Sequence, residues 1–127
     1  HRWAGRVLIL AGLVAAVTGI QAAIELPGFG GFSTMIAAWF FGILAIICFI
    51  MAYVRIRQRN INAHREWIIR AFAISLGVAT QRLLIFIFLP MQVGSFDVVF
   101  APLFWLGTLT NLIIAETWIN LTRKQRK

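Results

Sequence analysis

Four apolar runs decide what this chain can become. They cover about 7–24, 33–53, 67–89 and 98–121, and each is 18 residues or longer. At about 1.5 Å rise per residue, a helix of that length crosses a hydrocarbon layer of roughly 30 Å. None of the runs alternates apolar and polar residues as a half-buried strand does, and no turn dipeptide interrupts one. Apolar residues make up 61% of the chain and charged ones 13%, against roughly 45–50% and about 25% in a soluble domain. A soluble fold of this size would have too few polar side chains to cover its surface. The expected fold is therefore all-α and integral to a membrane: a four-transmembrane-helix up-down bundle forming one domain over 1–127.

The punctuation agrees. The segment Glu25-Leu26-Pro27-Gly28-Phe29-Gly30-Gly31 cannot continue a helix. Ser33 or Thr34 is placed to cap the second helix, and Asn60 or Asn62 the third, through a side-chain oxygen. Pro90 stops the third helix. Pro102 sits early in the fourth, where a missing N–H is tolerated.

Charge then sets direction. The N-terminus, the 54–66 connection and the C-terminus share one side of an up-down bundle. That side holds eleven of the twelve basic residues: Arg2, Arg6, Arg55, Arg57, Arg59, Arg65, Arg70, Arg123, Lys124, Arg126 and Lys127. The opposite connections hold Glu25 and Asp97 and no base. Short basic loops remain cytoplasmic, so both chain ends are expected there. The +8 net charge thus reads as a topology signal and a contact with anionic lipid, not as a nucleic-acid surface. Trp3, Trp67 and Trp118 near the basic boundary, with Trp105 nearer the other, form an aromatic belt.

Ionisable groups inside a span are expensive and need partners. Arg70 and Glu116 fall at matching depth on the third and fourth runs, so an inter-helix ion pair is expected. Glu66, four residues before Arg70, is a second candidate acid. Arg82 lies deep in the third run and is expected to face protein or water, or to reach Glu25 or Asp97. Asn111 is roughly 140° around its helix from Glu116, so it is expected to hydrogen-bond across helices at a separate place. Gly5, Gly12 and Gly19 recur every seven residues, and Gly12-x-x-x-Ala16 and Ala15-x-x-x-Gly19 are small pairs of the kind that lets helices approach in lipid. Packing within the chain is the main expectation, and a homo-oligomer face the alternative.

His1 and His64 are the only histidines, and parity puts both at the basic edge. Two imidazoles at one level can clamp a haem iron; two loop histidines among arginines is the plainer reading. Cys48 is the single cysteine, so no intrachain disulfide is available, and there is no CxxC-type metal motif. No carboxylate pair, nucleophile–base pair or phosphate loop argues for an enzyme.

The segments His1-Arg2-Trp3-Ala4-Gly5-Arg6 and His64-Arg65-Glu66-Trp67-Ile68-Ile69-Arg70 stand out together with Thr80-Gln81-Arg82 and Asn111-Leu112-Ile113-Ile114-Ala115-Glu116. They resemble a bacterial membrane-protein family known only as a domain of unknown function. Its pattern is a His-Arg-x-x-Gly-Arg start and a later His-Arg-x-Trp-Met/Ile-Ile-Arg. The resemblance implies a bacterial inner (plasma) membrane location. The family usually carries a further helix before its first motif, so it also implies residues preceding His1. Its layout of histidines is loosely similar to that of membrane b-type cytochromes, which implies haem b or quinone near His1 and His64. The leading functional expectation is therefore a small redox-associated membrane protein. The alternatives are a non-catalytic accessory subunit of a larger membrane complex, and a small transporter or sensor with Arg82 and Glu116 lining a cavity.

Overall fold

The computed structural model describes residues 2–25, 30–91 and 94–124. Five helices follow one another: α1 (Arg2–Glu25), α2 (Gly31–Arg57), α3 (Ile61–Ser75), α4 (Gly77–Phe88) and α5 (Phe96–Lys124). α3 and α4 are two halves of one span, so four spans cross the bilayer: Val7–Glu25, Gly31–Arg57, Ile61–Phe88 and Phe96–Arg123. There is no strand among the described residues. The surface of the bundle is apolar along its length, with Val7, Leu10, Val14, Phe86 and Ile113 each at least 55% exposed. Lipid, not water, suits that surface.

α2 is the hub. Its buried residues Ala37, Phe41, Ala45, Cys48, Phe49 and Ala52 recur every three or four positions, which is one helical stripe. The stripe packs on Ala71 and Ile74 of α3 and on Phe104, Trp105 and Leu112 of α5. Phe41 anchors the α2–α5 contact, with ring centroids 5.0 Å from Trp105 and 5.9 Å from Phe104.

α1 leans on α2 through the stripe Ile9, Leu13 and Ala16. Small residues set the contact: Gly12 lies under the Phe49 ring, and Gly42 of α2 lies under Ile20. Of the three expected packing glycines only Gly12 meets a neighbour; Gly5 and Gly19 have open space where a Cβ would be. Gly12→Ala would put a methyl 2.3 Å from the Phe49 ring, so a loss of about 1–2 kcal/mol is expected from overpacking. Gly19→Ala is expected to be neutral or to gain up to about 1 kcal/mol in helix propensity. Thermal unfolding in detergent, followed by circular dichroism, compares the two.

The helix ends differ from their sequence expectation in instructive ways. α2 is capped at Gly30, in the left-handed region at φ 71°, with no side-chain cap bond. The Thr34 hydroxyl is instead buried without a partner. α3 starts at Ile61, six residues before Trp67, because the Asn60 side chain accepts from the Ala63 N–H at 3.1 Å. The α2–α3 turn is closed by the Asn60 N–H on the Arg55 carbonyl and the Arg59 N–H on the Ile56 carbonyl. That pair of bonds puts a left-handed residue after the helix, and Arg59 takes the position at φ 58°. α5 begins at Phe96, so Pro102 lies inside the helix, not in its first turn. The carbonyl of Val98 therefore has no N–H four residues on.

The α3–α4 junction falls at Leu76, whose ψ relaxes to −11°. Ser75 donates to the Ala71 carbonyl at 2.9 Å, a back-bond that bends helices, and Gly77 follows with no side chain to hold the turn.

Candidate functional site along the seam of the third span and α5

α3, α4 and α5 meet along a line of polar contacts that runs from the basic end towards the opposite face. At the basic end, Arg123 donates to Glu66 (Nε–Oε1 3.1 Å). One turn further in, Arg70 donates to both oxygens of Glu116, with Nη2–Oε2 at 3.1 Å, and stacks over Trp67 at 5.0 Å from the ring centroid. Near mid-span, Asn111 Nδ2 donates to the Ala73 carbonyl (3.3 Å) and to the Thr80 hydroxyl (2.9 Å). Beyond it, Gly77 and Gly107 bring the backbones of α4 and α5 together. A Cβ on Gly77 would lie 2.2 Å from Thr108 Oγ1, and one on Gly107 would lie 3.1 Å from the Gln81 nitrogen. Gln81 Nε2 closes the series on the Phe100 carbonyl at 2.9 Å.

This is how helices hold each other in lipid. Close backbone approach and hydrogen bonds replace the hydrophobic drive that lipid does not supply. Asn111 acts beside the α3–α4 junction, bridging α3 at Ala73 and α4 at Thr80.

Two hollows lie on this seam. One, of about 220 Å³, is lined by Asn62, Arg65, Glu66 and Ile69 of α3 and by Ile119, Thr122 and Arg123 of α5. The other, an open apolar groove of about 360 Å³, runs from Ile68 and Ile69 past Phe72 to Leu76, with Asn111, Ile114 and Trp118 opposite.

The expected site residues fall into three groups. Arg70 and Glu116 are brought together, and Asn111 is kept apart from them, as depth and helical angle imply. Glu66, the second candidate for Arg70, is engaged by Arg123 instead. Arg82 is exposed on the bundle surface and takes part in neither ion pair found among the described residues. Neither Glu25 nor Asp97 reaches it; Glu25 accepts from Gln21 at 2.8 Å. His64 is half-buried, and its Nδ1 donates to the Ala52 carbonyl of α2 at 2.7 Å, leaving Nε2 as the free ring nitrogen. It lines neither hollow. His1 lies outside the described residues. Among the described residues no group of three or more His, Cys, Asp or Glu could hold a metal ion.

The seam also contains residues that the sequence reading passed over: Gly77, Thr80, Gln81, Gly107 and Thr108. Gly77 and Gly107 occupy similar depths on adjacent antiparallel spans, which was the available signal.

Comparison with curated proteins and with solved structures finds no significant match. A family model does match, and it agrees with four helices long and apolar enough to span a bilayer. Residues 1–119 fit the model described as "Predicted membrane protein (DUF2306)", and the chain belongs to that family.

Proposed function

We propose that this chain is a non-catalytic membrane subunit that works by packing in the bilayer beside a larger partner. One observation carries the reading. Apart from Arg82, which faces the bundle surface, the polar groups along the α3–α5 seam are engaged within the protein: Arg70 with Glu116, Asn111 with Thr80 and the Ala73 carbonyl, Gln81 with the Phe100 carbonyl. Catalysis or transport in a membrane uses such groups on a substrate path. Here they are engaged in holding helices together, and neither hollow on the seam includes Arg82. The test is the mass of the native particle, extracted in mild detergent or in native nanodiscs. A defined hetero-complex is expected. A monodisperse particle carrying only this protein overturns the reading.

A second reading, a redox-associated protein with haem or quinone at the basic edge, rests on His64. An Nδ1–H donating to a backbone carbonyl fixes the ring and leaves the Nε2 lone pair available, the arrangement that supports metal ligation. The fit is partial, because neither hollow includes the ring. Bound haem would give a Soret band that is lost in His64→Ala; a colourless native preparation removes the haem form of this reading.

A further inference from the structure

The two hollows adjoin along the seam of the third span and α5. They share Ile69, and their linings follow the same two helices in register: 62, 65, 66 and 69 against 119, 122 and 123, then 68, 69, 72, 73 and 76 against 111, 114, 115 and 118. From Asn62 to Leu76 they climb about 21 Å of helix, of which Ile69 to Leu76 is about 10 Å. One leaflet of hydrocarbon is about half of 30 Å. Together they therefore have the length of a headgroup region followed by most of one leaflet.

Its chemistry changes along that length in the same sense. The lower hollow carries Arg65, Arg123 and the Thr122 hydroxyl. Glu66, the one acid there, is bound by the Arg123 fork. Arg65 is exposed and takes part in neither ion pair found among the described residues, so the hollow keeps a net positive charge. Its volume of about 220 Å³ equals that of roughly seven waters at about 30 Å³ each, room for a phosphate and its ester carbons. The upper groove is apolar apart from Asn111, and it is walled by Ile114 at 62% exposure and Trp118 at 56%. An indole at that level suits the boundary between headgroup and acyl chain.

We propose that the α3–α5 seam binds one anionic phospholipid from the leaflet on the basic side. Its phosphate is held at Arg65, Thr122 and Arg123, and one acyl chain lies in the groove beneath Trp118. The choice of occupant follows from charge complementarity below and an open apolar groove covering most of one leaflet above. A free anion would not use the groove, and a zwitterionic lipid, whose headgroup cation offsets its phosphate, would gain less from the net positive charge of the hollow.

The experiment uses the full chain in detergent and native mass spectrometry, titrated with phosphatidylglycerol or phosphatidylcholine. One phosphatidylglycerol per chain is expected, retained about tenfold better than phosphatidylcholine. Arg65→Gln should cut that preference about fivefold, the weight of one basic residue at a membrane surface. Ile114→Trp, at an exposed position, should fill the groove and reduce retention of both lipids. Helical circular dichroism confirms that each variant is folded, and either variant alone suffices if the other is not. Equal retention of the two lipids overturns the proposal. So does a preference unchanged by Arg65→Gln together with a retention unchanged by Ile114→Trp, or displacement of the lipid by an isoprenoid quinone.

Discussion

Replacing Gly77 by alanine is expected to lower the unfolding midpoint more than any other single added methyl group on this chain. A Cβ there would lie 2.2 Å from Thr108 Oγ1, 2.9 Å from its Cβ and 3.0 Å from its Cγ2. Thr108 is fully buried, and its hydroxyl donates back to the Phe104 carbonyl at 2.9 Å. A β-branched side chain has few rotamers to retreat into, and its Cβ moves only with the backbone of α5. Two effects oppose each other. Alanine favours the helix over glycine by about 1 kcal/mol, while overpacking costs about 1–3 kcal/mol. With contacts this short the upper end applies, so a net loss of about 2 kcal/mol is expected, and a larger one for Gly77→Val. The compensating change is Thr108→Ala. It removes Oγ1 and Cγ2 but leaves the Cβ contact, so Gly77→Ala with Thr108→Ala should recover part of the loss. Denaturation in mixed detergent, read by helical ellipticity, gives the four corners of that cycle. A Gly77→Ala variant as stable as the parent, or no coupling between the two positions, would mean that α4 and α5 do not meet here.

The spans were legible in the sequence because lipid admits so few solutions. A run of 18 apolar residues bordered by bases has no competing fold. The Arg70–Glu116 pair was legible for a related reason: both cost energy inside the bilayer, both sit at one depth, and each neutralises the other. Helix ends were less so. Asn60 and Asn62 are equivalent as letters, and only the backbone shows that Asn60 meets the Ala63 N–H. Ser33 and Thr34 lost their expected role because Gly30 and Gly31 both take positive φ, which starts α2 before either hydroxyl. The heptad of Gly5, Gly12 and Gly19 shows the limit of periodicity. A spacing of seven keeps residues on one face, but a shared face is not a shared neighbour. Phe49 lies over Gly12, while nothing lies within 4 Å of a Cβ at Gly5 or Gly19. Glu66 was open to Arg70 by helical spacing. The partner it takes, Arg123, stands 57 residues away, and no local pattern connects them.

The two ion pairs of the seam should behave differently, and the contrast tests what the inner one is for. Glu66 with Arg123 sits at the basic edge, where the Arg123 side chain is 55% exposed. Screening by water and salt leaves such a pair worth little, so Glu66→Gln should barely change stability. Arg70 is less accessible, with its side chain 21% exposed, and Trp67 lies beneath the guanidinium. Glu116→Leu strands that charge inside the span. An unpaired arginine at the centre of a membrane helix costs about 2.5–3.5 kcal/mol. Arg70 is nearer the edge and can turn towards Glu66, so a loss of about 2 kcal/mol is expected. Arg70→Met with Glu116→Leu removes both charges together, and apolar replacements of ion pairs are often neutral or stabilising. The double variant should therefore be at least as stable as the parent, although each single variant is weaker. Unfolding midpoints of the four proteins decide it. A double variant no better than the worse single one would show that the two groups do separate work, and the pair could not then be regarded as a clasp between α3 and α5. Recovery in the double variant is the result the proposed packing role requires: the membrane-embedded charges neutralise one another and can be removed as a pair.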